Sequence, residues 1–258
     1  MTNALELKGL ESFAELNGLR YETLAPDIAN ALEVRPYMRV VTLLRQTDPN
    51  LKYEVFVRLN RGGESMEPQE VRKVAYRGSL TDLVYELSGN EFLRKQLKIH
   101  GEESPAFAKM YDAELVLRFF ALSKKWEAFS GALQQELDAF NTENRNPTPA
   151  ARAKLRSRFE RAIKGCEHLW GEHAFHRYEA GAWRNQLLAG MFDAQMIGVD
   201  LTSDATLNRA AAKKAALTIT FKKLCADPEF DRAVRVGTNT PDRVRTRVGA
   251  IRDLLQSV

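Results

Sequence analysis

The chain has 258 residues, 44% of them hydrophobic and 28% charged, with 15 Gly and 9 Pro. That is long enough to bury a core without disulfide or metal support, and the composition excludes general disorder and a collagen-like repeat. Thirty-eight Lys and Arg against 34 Asp and Glu leave a net charge of +4, too small by itself to name a nucleic-acid partner. No apolar run nears the roughly 20 residues of a membrane span, because Arg118 interrupts the stretch 115–122. Cys166 and Cys225 are too few for a disulfide scaffold and read as buried free thiols. Met1-Thr2-Asn3-Ala4-Leu5-Glu6 lacks a basic region followed by an apolar one, so a cytoplasmic setting is expected.

Leu5, Leu7, Leu10, Phe13 and Leu16 are spaced for a short helix stopped by Asn17-Gly18, and Pro26-Asp27 opens a second that ends near Glu33. Residues 39–44, rich in Val and Leu, read as a strand buried on both faces. Asp48-Pro49 starts a helix carrying Leu51, Val55, Phe56 and Leu59, which Gly62-Gly63 ends. Glu67-Pro68-Gln69-Glu70 opens the next, with Glu70 placed for a capping box, and Gly78 stops it. Short helices follow over 79–87 and 90–97, then an exposed loop at 101–105 and helices over 112–126 and 133–140. Asn144-Arg145-Asn146-Pro147-Thr148-Pro149 reads as a linker, and 150–170, 183–199, 203–225 and 242–258 carry helical patterns. The expected architecture is mostly α: a small α/β segment over 1–145 with a helical extension, then an all-helical bundle over 146–258.

A helix stop, paired glycines, arginines and a new helix N-terminus fall within residues 55–72. Such a corner can hold an anion, because glycines let backbone N–H groups approach a phosphate and a helix N-terminus favours negative charge. Arg58, Arg61 and Arg72 supply charged donors; the competing reading is a tight corner whose arginines face water.

The run Phe56-Val57-Arg58-Leu59-Asn60-Arg61-Gly62-Gly63, then Gln69-Glu70-Val71-Arg72 and Tyr76-Arg77-Gly78, resembles the F-x-R-L-N-x-G-G…L-x-x-Q-E-[IV]-R-x-x-x-[YF]-x-G segment of the ParB-like N-terminal domain of GmrSD-type restriction endonucleases. Asp112-Ala113-Glu114-Leu115-Val116-Leu117-Arg118-Phe119 resembles that family's second landmark, D-x-E-x-V-L-R-F. The resemblance covers roughly residues 7–125. It implies a nucleotide- or nucleic-acid-binding component of a bacterial restriction or antiphage system, with Arg58, Asn60, Gly62, Gly63, Gln69, Glu70 and Arg72 as the nucleotide site. It further implies a nucleoside triphosphate with Mg²⁺ as cofactor, and a nuclease subunit or a second chain as partner. The family's Asp-Gly-Gln-x-Arg motif is absent, Glu67 and Met66 replace the usual Asn and Leu, and no His-Asn-His nuclease signature occurs. The chain thus resembles an N-terminally incomplete member, without a complete catalytic set. The alternatives are a non-catalytic helical interaction module and a fragment of an NTP-hydrolysing, modification-dependent restriction enzyme.

Arg118, inside an apolar run, is expected to pair with Glu114 one turn back, with Asp112 or an external anion as alternatives. Cys166, His168, His173 and His176 are metal-ligand types without a recognised metal spacing; they read as ordinary core and surface residues, His100 stands apart, and no metal site is expected. Residues 145–164 hold seven basic residues and one acid, with Lys154, Arg158, Arg161 and Lys164 opposite an apolar stripe. A second basic region, six arginines against Asp242, spans 232–252. Together they read as a nucleic-acid-binding face, weighed equally against a solvated charged face.

Overall fold

The computed structural model describes residues 6–10, 12–34, 55 and 67–258, and the chain divides into two compact units, 1–46 and 47–258. The strand expected at 39–44, the helix expected over 51–59 (Val55 apart) and the glycine corner lie outside the described residues.

In the first unit, among the described residues, the helix expected over 5–16 is reduced to a 3-10 turn at Ala14–Leu16. Gly9 and Gly18 take positive φ values of 72° and 85°, which ordinary side chains resist. Asn17 then closes a loop, accepting from the Leu10 N–H at 2.9 Å and donating to its carbonyl at 3.0 Å. Helix α1, Pro26–Val34, matches the expectation.

The second unit is mostly α. Its helices are α2 Pro68–Ala75, α3 Ser79–Ser88, α4 Glu91–Gln96, α5 Pro105–Ala108, α6 Tyr111–Lys125, α7 Leu133–Glu143 and α8 Pro149–Trp170, then α9 Ala189–Asp200, α10 Asp204–Ala212, α11 Lys214–Ala226, α12 Pro228–Arg235 and α13 Pro241–Ser257. Between α8 and α9 lies a hairpin, β1 Tyr178–Glu179 and β2 Ala182–Trp183, paired antiparallel with Tyr178 opposite Trp183. Its two turn residues, Ala180 and Gly181, both have positive φ, the two-residue turn whose twist suits a hairpin. The helix expected over 183–199 therefore starts only at Ala189, the one expected over 203–225 breaks at Lys213, and α5 and α12 are additional.

Helix α9 is the axis of the bundle. Every residue from Gly190 to Val199 is buried, including the polar Asp193 and Gln195, and α6, α8, α12 and α13 surround it. One hydrophobic core runs from Leu80 to Leu255 and includes edge-on packing of Phe119 on Phe159, with ring centroids 5.9 Å apart. That continuity is why contacts do not divide at 145/146, where the linker was expected. Residues 144–149 instead clamp the start of α3: the Asn146 side chain accepts from the Ser79 N–H at 3.1 Å, and the Arg145 carbonyl accepts from the Leu80 N–H at 3.2 Å.

Close helix approach depends on Gly190. A Cβ there would stand 2.6 Å from the Val234 carbonyl oxygen and 2.9 Å from its Cα, both α12 backbone atoms that cannot rotate away. Gly190→Ala is expected to destabilise the fold by about 1–3 kcal/mol through overpacking. Gly249→Ala, in α13 with nothing within 4 Å of the new methyl, is expected to gain a few tenths to 1 kcal/mol from helix propensity. Urea unfolding midpoints check the pair; a neutral Gly190→Ala contradicts the close approach.

Candidate functional site

Three of the seven residues assigned to the nucleotide corner are described, and helix packing occupies them. The Glu70 carboxylate accepts from the Glu67 N–H at 2.9 Å while the Glu67 side chain accepts from the N–H of Glu70, so first-turn donors of α2 are already used by its own acids. Arg72 is 2% exposed; its Nε donates to Asp138 on α7 at 2.7 Å and its terminal nitrogen to the Gln134 side chain. Arg72 thus ties α2 to α7, with its other terminal nitrogen, Nη1, buried without a partner. Gln69 is buried, its Oε1 without a partner. Arg58, Asn60, Gly62 and Gly63 lie outside the described residues.

The basic face of α8 is also largely engaged. Arg158 donates to Asp200 and, at 3.1 Å, to the Ser123 hydroxyl; Arg161 donates to Asp204 at 2.8 Å and to the Thr202 carbonyl at 2.6 Å. These two arginines tie α8 to the α9–α10 connection, while Lys154 and Lys164 make no such bond. In the second basic region Arg235 pairs with Asp231, Arg245 with Asp242, Arg247 with Asp193 and Arg252 with Asp253. Runs of basic residues along the sequence are thus met in space by acids, several of them from other elements. Arg118 follows the same rule: its partner is Asp193 on α9, at 2.5 Å, rather than Glu114 on its own helix.

A different constellation gathers around a cleft of about 470 Å³. Lys95, Gln96, Lys98 and His100, at the end of α4 and the following turn, face Glu172, His173, His176, Trp183 and Asn185. Two non-glycine residues on its margin, Lys98 (φ 56°) and Phe175 (φ 66°), hold left-handed backbone, a strained conformation found often at ligand sites. Phe175 is locked there because its N–H donates to the buried Gln195 side chain at 2.6 Å and its carbonyl accepts from Leu188 at 3.1 Å. The Lys98 ammonium reaches across to the Asn185 carbonyl at 2.7 Å. His173 lies flat on Trp183, centroids 4.3 Å apart and planes 13° from parallel. His176 is 5% exposed, and its Nε2 has no hydrogen-bond partner.

Two lysines against Glu172 leave the lining positive before any imidazole is protonated. Among the described residues no three His, Cys, Asp or Glu side chains are placed to share a metal ion. Neutral or positive donors around an unpartnered buried nitrogen suit a small anion. A larger groove of about 510 Å³ between α8 and α10 is less suited: its Arg161 and Lys164 are balanced by Glu167 and Asp204, and no orphaned buried atom lines it.

The His176 imidazole is held below its ordinary value of 6.5, first by burial, then by the neighbouring His173 and Lys98, with Glu172 opposing. Between that lowered value and 6.5 the unfolded chain binds more protons here than the native chain, so stability is complete above pH 6.5 and declines as pH falls below it. Urea midpoints at pH 7.5 and 5 are expected to drop in the acid direction, and His176→Gln to remove part of the drop. Identical drops in both proteins contradict this.

His100, His173 and His176 are 76 positions apart at most, and sequence reasoning left them separate. The cluster of metal-ligand types near residue 170 was the available signal, but only the packing of α4 against α8 brings His100 to it. No family model, curated protein or solved structure matches the chain, so the likeness to the restriction family rests on its motif residues.

Proposed function

We propose that the chain is a nucleotide- or nucleic-acid-binding component of a bacterial restriction or antiphage system, without a complete catalytic set of its own. Its phosphate contact is the cleft between residues 95–100 and 172–185. The observation that carries this reading is the convergence of Lys95, Lys98, His100, His173 and the unpartnered His176 around one space with a single acid, Glu172. The motif segment at 56–78 supports the defence setting. Glu172 is the one carboxylate lining the cleft, so its lysines and imidazoles are left to meet phosphate oxygens. A nuclease subunit, or a chain bringing the absent Asp-Gly-Gln-x-Arg motif, is the partner that would complete catalysis.

The engaged arginines Arg72, Arg158 and Arg161 favour a second reading, a non-catalytic helical interaction module. Calorimetric titration with ATP, GTP and single-stranded DNA separates the two. The wild type is expected to bind at least one, and Lys95→Ala with Lys98→Ala to weaken it about tenfold or more, since a charge-assisted hydrogen bond contributes roughly 1.5–3 kcal/mol. No binding by the wild type would leave the interaction module. Binding that survives this double change but is lost on Lys154→Glu with Lys164→Glu would move the contact to the face of α8.

A further inference from the structure

Beside the lysines the cleft offers a stacking surface. Phe221, Trp183 and His173 form a column of near-parallel rings: Trp183 lies 19° from the plane of Phe221 at 6.0 Å and 13° from that of His173 at 4.3 Å. The far members are fixed, since Phe221 is fully buried and packs on Trp170, and Tyr178 meets Trp183 edge-on at 5.3 Å. His173 ends the column, lines the cleft and keeps about a third of its side chain exposed. A flat aromatic ring added to His173 would continue the stack, a mode used by proteins that hold unpaired bases.

Phosphate chemistry lies on the opposite wall, with Lys95, Lys98 and His100. The volume, about 470 Å³, matches a small-molecule site. Nearby arginines do not extend the basic wall into a track: Arg177 and Arg184 both pair with Glu179, and Arg177 also with Asp231. A long strand would therefore find few phosphate contacts beyond the cleft, whereas a free nucleotide would use all of them.

We infer that the ligand of this cleft is a free mononucleotide, its base stacked on His173 and its phosphates held by Lys95, Lys98 and His100. The inference rests on the phosphate-binding reading above and adds a base-stacking contact at His173, which phosphate binding alone does not require.

The test uses the full chain with three probes: ADP, inorganic pyrophosphate and a single-stranded oligonucleotide. Affinities are read by calorimetry and by tryptophan fluorescence, Trp183 being one of three tryptophans. ADP is expected to bind at least tenfold more tightly than pyrophosphate and than each site on the oligonucleotide, and to change the fluorescence. His173→Ala is expected to weaken ADP at least tenfold more than it weakens pyrophosphate, so that the two then bind about equally. His173→Phe, which keeps a stacking ring, is expected to retain ADP binding and guards against a merely structural effect. Equal affinity for ADP and pyrophosphate, indifferent to His173→Ala, would overturn the nucleotide while the phosphate reading stands. Tighter binding of the oligonucleotide would also overturn it in favour of a strand, and no binding of any probe would remove both.

Discussion

Asp193→Ala is expected to cost about 3–5 kcal/mol, a large part of the roughly 5–15 kcal/mol that holds a typical fold together. Asp193 is fully buried on α9 and carries two guanidinium groups: Arg118 from α6, at 3.2 and 2.5 Å, and Arg247 from α13, at 2.7 Å. Burial opposes the charge of Arg118, yet the Asp193 carboxylate outweighs it and raises that pKa. For Arg247 burial prevails, aided by the like charge of Arg118, and its pKa falls despite Asp193. Removing the carboxylate leaves two like charges facing each other in the core with nothing to offset their desolvation. Arg247 keeps bonds to the Ala233 and Thr238 carbonyls, but its Nε already has no partner. A triple change of Arg118→Met, Asp193→Leu and Arg247→Met removes all three charges and is expected to recover most of the loss. Urea unfolding at pH 7 measures both. A single Asp193→Ala variant within about 1 kcal/mol of wild type would show that the triad does not hold α6, α9 and α13 together.

Arg72→Ala is expected to cost about 3 kcal/mol and to leave nucleotide affinity unchanged. Its guanidinium is the opposite charge that Asp138 meets, and the Asp138 carboxyl is already pushed upward by burial, with Arg72 acting against that rise. Asp138 keeps about a fifth of its side chain exposed and can take up a proton, which places the cost at the lower end for a broken buried pair. Arg72→Lys keeps the charge but not the two-pronged geometry that serves Asp138 and Gln134 together, so it is expected to fall between wild type and Arg72→Ala. A stable Arg72→Ala protein that loses ligand would return the binding site to the motif segment. Full stability with full binding would contradict the structural role.

The contrast between these residues and the cleft indicates what a sequence discloses. Helices with one apolar stripe, such as α8 and α13, were readable because the helical period is local. The capping box of Glu67 and Glu70 was readable for the same reason. The hairpin was hidden because Ala180, not Asn or Asp, occupies a left-handed turn position, so its strands carried no turn signal. Arg118 was recognised as a buried cation, but its partner stands 75 positions along the chain and Glu114 was the neighbour the sequence displayed. Charge clustering misled in the same way: Arg158 and Arg161 look free until α9 and α10 bring Asp200 and Asp204 to them. The cleft was hard to read because residues 95–100 and 172–185 lie far apart in the chain, and its chemistry exists only where the turn after α4 meets the turn after α8.

If this cleft holds the phosphate groups of a ligand, its imidazoles must sense them, and NMR reads each ring separately. The chain has four histidines: His100, His173 and His176 line the cleft, while His168 lines the separate groove between α8 and α10. On titration with ADP, the ring nitrogen signals of His100, His173 and His176 are expected to shift together with one affinity while those of His168 stay in place. Three unmoved cleft histidines at an ADP concentration that saturates binding would contradict phosphate binding in the cleft.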